Sequence, residues 1–187
     1  MHKAKATPNP SVSRRPAFRG VHHLALNTDD MKLTVDFYTG VLGMPLIHAM
    51  KVPPGLGTGK ENRGNPPFEN IRHYFFDMGN DGLLAFFEIP KGAKEKGDRD
   101  AIAAMQHVAF AATSKNANAI RARLDESSIP YQGPIEALPG VVSTYFMDPN
   151  GIRLEMTEHP DDGDSIAIIE RLTQTREAAR AELESLT

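Results

Sequence analysis

Apolar and polar residues alternate along this chain in short runs that predict β-strands, and each leading run is followed by a helical pattern. The stretches VHHLALNTDD (21–30) and MQHVAFAATS (105–114) alternate with the period of a half-buried strand. Behind each stretch, apolar residues recur at helical spacing. They are Met31, Val35 and Tyr38 after the first stretch, and Ala117, Ile120 and Leu124 after the second.

The chain repeats itself, because the second halves of these two regions also match. IRHYFFDMGNDGLLAFFEIP (71–90) resembles VVSTYFMDPNGIRLEMTEHP (141–160), and each reads as a strand, a turn built on Asn, Asp and Gly, and a second strand. A weaker strand precedes each hairpin, at about 44–51 and 130–136. The sequence therefore predicts an α+β fold of two βαβββ modules, at about 19–92 and 103–160.

Three segments fall outside the repeat. Residues 1–18 are basic and Pro-rich, and we interpret them as a flexible arm. Residues 52–70 are rich in Pro, Gly and Asn and predict a loop, which is either a binding lid or a plain surface excursion. Residues 161–187 predict a C-terminal helix that serves as scaffold or as a homodimer contact.

Composition narrows the class of protein. The 187 residues carry a net charge of −3, which favours neither nucleic acid nor an acidic membrane surface as a partner. No apolar run approaches the roughly 20 residues of a membrane span. The absence of Cys excludes disulfides and Cys-based zinc sites, and it suits a reducing cytoplasm. We expect a cytoplasmic protein with a small-molecule partner.

The repeat separates the two adjacent histidines of the first strand. His23 aligns with His107, whereas His22 aligns with Gln106. Strand alternation puts His22 in register with the helix-facing leucines of its strand and turns His23 the other way, beside a small Ala25. His23 is therefore the candidate ligand of a metal ion, and His22 is a packing or edge residue.

Glu155 supplies a carboxylate on a strand whose other face is apolar. It shares its face with Arg153 and Thr157, and such a carboxylate is costly unless it is paired or bound to a cation. The preceding strand puts Ser143 and Tyr145 on one side. Two histidines and one carboxylate form the ligand set of a facial triad. The alternative is that the histidines are ordinary core residues and that Glu155 pairs with Arg153.

These motifs together resemble a known superfamily. His23, the helix DFYTGVLG (36–43), His107 and YFMDPNGIRLE (145–155) are similar to the vicinal oxygen chelate superfamily, over residues 19–160. That superfamily includes glyoxalase I, extradiol dioxygenases, methylmalonyl-CoA epimerase and fosfomycin-resistance proteins. The resemblance implies sheets that curl around a central metal cavity, with His23, His107 and Glu155 as ligands of one divalent ion.

Glyoxalase-like members take a fourth ligand from the last strand of the first module. Aligning Asp81-Gly82 with Asn150-Gly151 puts Phe86 opposite Glu155, with Glu88 further along the same face. A β-bulge would bring Glu88 to the metal. Without one, the site keeps three protein ligands, which favours iron-dependent dioxygenase chemistry.

The extradiol signature fits in part. Tyr145, Asp148, Pro149, Gly151 and Glu155 match it, but Thr144 and the absence of a His shortly before the Tyr depart from it. The same alignment predicts a concave face that bears Arg72, Tyr74, Phe76 and Phe86, joined by Tyr145. An aromatic lining suits a planar diol, although phenylalanines more often only fill a core. Alternation predicts that His73 faces outward, and His159 is expected to be exposed.

The preferred hypothesis is an extradiol-type dioxygenase that acts on a catechol-like aromatic and uses Fe(II). Tyr145 would hydrogen-bond the substrate, Ser143 would line the pocket, and His48 is the candidate acid–base residue. One alternative is a glyoxalase- or epimerase-like lyase or isomerase that uses Ni, Zn, Mn or Co, with Glu88 or Glu155 moving a proton. The other is a non-catalytic protein that binds a drug in the same cavity.

Overall fold

The structure, a computed structural model, describes residues 18, 20–53, 71–138, 140–159, 168 and 172–186. The chain divides into two compact units. Unit 1 comprises residues 1–31 and 44–93, and unit 2 comprises residues 32–43 and 94–187. Most of the N-terminal arm and nearly all of the predicted loop at 52–70 lie outside the described residues.

Unit 1 is built on a four-stranded mixed sheet. The strands are β1 (His23–Thr28), β2 (Leu46–Lys51), β3 (Arg72–Gly79) and β4 (Gly82–Glu88). They lie in the order β1-β4-β3-β2, with β1 parallel to β4 and the other pairs antiparallel. Asn80 and Asp81 both have positive φ, as a two-residue hairpin turn with the right twist requires.

Unit 2 contains a second sheet with the same arrangement of strands. The strands are β5 (Val108–Thr113), β6 (Tyr131–Leu138), β7 (Val141–Met147) and β8 (Arg153–His159). They lie in the order β5-β8-β7-β6, again with one parallel pair, β5 with β8. Helix α2 (Ser114–Glu126) follows β5 and is capped by Thr113, whose side chain accepts a hydrogen bond from Asn116 N. The recurrence confirms the predicted α+β fold and its two βαβββ modules.

The first helical segment differs from its predicted placement. Helix α1 (Met31–Val35) continues as a π-helical stretch, Asp36–Val41, and residues 32–43 belong to unit 2 rather than to the sheet of the first module. Phe37 lies with its ring centroid 6.5 Å from that of Phe146 on β7. Tyr38 is fully buried and donates a hydrogen bond to Asp148 at 3.1 Å. These contacts explain why the segment packs with unit 2.

A C-terminal helix, α3 (Arg176–Leu183), is present as expected and is capped by Thr175. None of its residues is buried. Among the residues that the structure describes, no helix has the length and apolar character needed to cross a membrane.

Candidate functional site

One face of the unit 2 sheet gathers the polar residues singled out by the sequence. Glu155 on β8 is paired with Ala109 on β5 and with Tyr145 on β7, so the side chains of all three project from the same face. His107 lies two residues before Ala109, directly before β5, and continues that face. Ser143 lies two residues before Tyr145 and joins it from β7.

Glu155 is the centre of this group, and each of its oxygens has a partner. Ser143 Oγ and Tyr145 OH donate to Oε1 at 2.6 and 3.0 Å. Oε2 lies 3.0 Å from His107 Nε2. Glu155 and Ser143 are both buried, so these contacts offset the cost of removing a carboxylate from water. The alternative of a Glu155–Arg153 pair is not what forms, because Glu155 pairs with His107.

Tyr145 keeps its proton in this setting. Burial is the largest cause that raises the pKa of Tyr145, and its hydrogen bond to Glu155 raises the pKa further. A phenol with a raised pKa remains a donor over the physiological pH range. Tyr145 therefore orients the carboxylate by donating to it.

The His107 ring is oriented by Gln106, the residue that corresponds to His22 in the repeat. The side-chain carbonyl oxygen of Gln106 contacts His107 Nδ1. Since that oxygen can only accept, Nδ1 is the donor and Nε2 is directed at Glu155 Oε2. Nε2, the ring nitrogen that Gln106 does not contact, therefore lies 3.0 Å from Glu155 Oε2, where one cation could contact both atoms.

These two atoms are suited to a divalent cation. Two adjacent ligands on one ion, each at roughly 2.0–2.2 Å, stand about 3 Å apart when they subtend a right angle. The Nε2–Oε2 separation of 3.0 Å matches this spacing. The other carboxylate oxygen is already held by two donors, as is usual for a metal-binding carboxylate. Among the residues that the structure describes, no three or more His, Asp or Glu form a group that could hold a metal ion.

In unit 1, the corresponding face carries His23. Ala25 pairs with Ala85, and Ala85 pairs with Phe75, so these residues share the face of His23. The His23 ring lies 6.2 Å from that of Phe75 and contacts His22 through their Nδ1 atoms at 3.0 Å. The position opposite Ala25 is the counterpart of Glu155, and it holds Ala85 rather than the predicted Phe86.

Two further histidines belong to the same face of unit 1. A register shift between Leu46 and His48 sets His48 opposite Phe75, with ring centroids 5.7 Å apart. His73 pairs with Phe87 and stacks on its ring at 3.6 Å, and its Nδ1 contacts Phe86 O at 3.1 Å. Burial lowers the pKa of His73. The expectation that His73 faces outward is therefore wrong, and so is the expectation that His159 is exposed, because both are buried.

The predicted aromatic lining of unit 1 lies on the wrong face. Phe86 pairs with Leu26 and with Tyr74, and Phe76 pairs with Leu84, so this set shares the face of Leu26 and not that of His23. Phe76 and Phe86 are 0% exposed and fill the core. Asn150-Gly151 corresponds to Asn80-Asp81 rather than to Asp81-Gly82, and a slip of one residue exchanges the two faces of a strand. The residues affected are Arg72, Tyr74, Phe76 and Phe86.

Glu88 is likewise turned away from His23. The pairing of β1 with β4 runs without a register shift to Thr28 and Glu88, so the bulge that would redirect Glu88 is absent from this pair. Its carboxylate accepts a hydrogen bond from Met31 N at 3.0 Å and forms an ion pair with Arg72. Glu88 therefore has a structural role at the start of α1.

A family model described as the Glyoxalase/Bleomycin resistance protein/Dioxygenase superfamily matches residues 20–156. The chain belongs to this superfamily. Proteins of the superfamily generally hold a divalent metal ion and bind small-molecule substrates. No protein with a curated function matches the sequence.

Solved structures of the superfamily share the fold. A glyoxylase/bleomycin resistance protein/dioxygenase domain from Frankia sp. EAN1pec is 16% identical, with a TM-score of 0.61 over 79% of this chain and 96% of its own. A glyoxalase/dioxygenase from Nostoc punctiforme is 20% identical, with a TM-score of 0.57 over 85% and 100%. The fosfomycin resistance protein FosX from Mesorhizobium loti is 20% identical, with a TM-score of 0.50 over 84% and 99%.

Proposed function

We propose that the protein is a metal-dependent enzyme in which His23, His107 and Glu155 hold one divalent ion, with Fe(II) preferred. The observation that carries the proposal is the 3.0 Å approach of His107 Nε2 to Glu155 Oε2, with the second carboxylate oxygen fixed by Ser143 and Tyr145. His23 is included as the third ligand on the internal repeat alone, because it aligns with His107.

The specific reaction that we propose is extradiol-type ring cleavage of a catechol-like aromatic. Ala85 stands where a fourth ligand would be, and Glu88 is occupied by Arg72 on the other face of its sheet. A site with two histidines and one carboxylate leaves positions open for a diol and for O2. When bound, the ion would act as a Lewis acid and as a template for both. A glyoxalase-like reaction with four protein ligands is correspondingly less well supported.

The side chains around this site have separate roles in the proposal. Ser143 and Tyr145 hold Glu155, and Tyr145 is also the candidate to contact a substrate oxygen. His48 remains the candidate acid–base residue, because it shares a face with Phe75 and His23. Phe75 and Phe87 replace Tyr74, Phe76 and Phe86 as the candidate aromatic wall, since they belong to the face of His23.

The proposal is tested by metal content and oxygen consumption. The protein is purified without oxygen, its bound metal is measured, and O2 uptake is followed with catechol and with 2,3-dihydroxybiphenyl. We expect iron, O2 uptake and a yellow ring-cleavage product in the unmodified protein and in Glu182→Gln, an exposed control on α3. Glu155→Gln is expected to lose both the metal and the product.

Two outcomes would overturn the proposal in different ways. Tightly bound nickel or zinc with no O2 uptake would reject the dioxygenase and favour a lyase or isomerase. A folded protein that takes up no metal under any of these conditions would reject both enzymes, and it would leave a binding protein that sequesters its ligand.

A further inference from the structure

Arg153 belongs to the same face of unit 2 as the proposed ligands. It lies two residues before Glu155 on β8, so the two side chains project from the same face of the strand. It is paired with Met147 on β7. Tyr145 lies two residues before Met147 on β7, so it shares this face with Arg153 and Glu155. Arg153 therefore stands beside the group that holds Glu155.

The Arg153 guanidinium has no acidic partner in the part of the chain that the structure describes. Elsewhere in unit 2, Arg121 forms an ion pair with Glu158, and Arg180 forms one with Glu184. The one carboxylate on the face of Arg153, Glu155, is already engaged by Ser143, Tyr145 and His107. Arg153 is half-buried, but its guanidinium nitrogens are not among the buried atoms that lack a partner, so water solvates them. A bound anion would supply the charged partner that the described residues do not.

The net charge of the proposed site also favours a substrate with a second anionic group. A divalent ion with one carboxylate and neutral imidazole ligands has a net charge of about +1, since the charge of the ion must be counted with its ligands. Arg153 adds another positive charge. A chelated diol that has lost one proton supplies a single negative charge. One positive charge, that of Arg153, then remains for a second anionic group.

We propose that the substrate carries a carboxylate that Arg153 binds, so that the substrate class is a carboxylated aromatic diol. This inference rests on the proposed function, because it assumes that the diol binds at the metal held by His107 and Glu155. A guanidinium can donate two parallel hydrogen bonds to a carboxylate, a geometry that a neutral substituent does not match. Arg153 is then a specificity-determining residue, whereas the metal ligands act on the diol common to all catechols.

The test compares binding of diols with and without a carboxylate. The protein is loaded with Zn(II), which does not support O2 chemistry, and the binding of catechol, 2,3-dihydroxybenzoate and 3,4-dihydroxybenzoate is measured by calorimetry. We expect one dihydroxybenzoate to bind roughly tenfold or more tighter than catechol. Arg153→Gln should abolish the difference and Arg153→Lys should keep part of it. Arg176→Gln, at an exposed position on α3, should keep all of it.

The proposal is overturned if the unmodified protein shows no preference for either dihydroxybenzoate, or if Arg153→Gln retains the preference while circular dichroism shows an unchanged fold. Benzoate binding to the metal-free protein separates the two proposals. Benzoate binding that depends on Arg153, with no binding of catechol to the metal-loaded protein, would support the anion site and reject the metal-chelate function. Catechol binding to which a carboxylate adds nothing would reject the anion site and leave that function intact.

Discussion

At the scale of single residues, Glu155 is held before any ligand arrives. Its Oε1 accepts hydrogen bonds from Ser143 and Tyr145, while Oε2 is directed at His107. The carboxylate therefore has one oxygen anchored by the protein and one presented to a partner. A ligand fixed in this way loses little rotamer freedom on binding an ion, which favours affinity.

Ser143→Ala should weaken metal binding without unfolding the protein. The change removes the 2.6 Å hydrogen bond to Oε1 and leaves Tyr145 as the only donor there. We expect metal affinity to fall about 10- to 100-fold, the usual effect of losing a group that orients a ligand. Competition with a chelator measures it. Ser127→Ala, at an exposed position after α2, is the control. Equal affinities in the two variants would mean that Tyr145 alone suffices.

The adjacent histidines at the start of β1 should respond differently to substitution. His23 matches His107 in the repeat and projects from the same face of the sheet as Ala25 and Ala85. His22 matches Gln106. We expect His23→Ala to lose the metal, and His22→Ala to retain it with an affinity reduced by at most about tenfold, because His22 only contacts the His23 ring. Metal content after dialysis distinguishes them. Loss of metal in both variants, or in His22→Ala alone, would contradict the assignment.

At the scale of elements, the sequence predicts strands and helices well because their periodicity is local. The repeat adds which strands correspond, and it selects His23 over His22. The faces of β3 and β4 are predicted wrongly, because the expected match between the two turns is one residue out of register and such a slip exchanges the faces. The register shift before His48 and the packing of Tyr38 in unit 2 depend on contacts between residues distant in sequence, which alternation does not report.

Tyr38→Phe should loosen the helical segment that packs with unit 2. The buried Tyr38 hydroxyl donates to Asp148, whose carboxylate also caps the turn between β7 and β8 through Asn150 N and Ile152 N. Removing a donor to a buried carboxylate should lower the free energy of unfolding by about 1–3 kcal/mol. Urea denaturation measures it.

The matched control for that change is Tyr131→Phe, which removes a hydroxyl that contacts exposed Asp125 at 3.4 Å. We expect this second change to alter the free energy of unfolding by less than about 0.5 kcal/mol, as is usual at exposed sites. Similar losses of unfolding free energy in the two variants would show that the Tyr38–Asp148 hydrogen bond does not hold the segment in unit 2.

At the scale of the whole molecule, the two sheets are repeats whose corresponding faces have diverged. Ala85 corresponds to Glu155, Phe75 to Tyr145, and His73 to Ser143, by their matching positions in the strand pairs. Unit 2 thus carries the carboxylate with its hydrogen-bond donors, and unit 1 carries aromatic rings and histidines. The repeat in the sequence is enough to match His23 with His107. The three correspondences above depend on the register of the paired strands, which only the structure gives.

Restoring the missing carboxylate tests this correspondence. Ala85 is 0% exposed, so Ala85→Glu buries an acid. This change should lower the free energy of unfolding of the metal-free protein by about 1–3 kcal/mol or more. If position 85 faces the metal as position 155 does, Zn(II) should raise the melting temperature of this variant more than that of the unmodified protein. Ala85→Gln, of the same size but uncharged, should gain less from Zn(II). Equal gains in the two variants would reject the correspondence.

The approach of His107 Nε2 to Glu155 Oε2 also makes the proposed metal site a link between two strands. His107 directly precedes β5, and Glu155 lies on β8, much later in the sequence. Only the folded chain brings these two side chains together, and a ligand that binds only the folded state stabilises it by mass action. The supply of metal would therefore govern how much of the protein stays folded, as well as how much of it carries an ion.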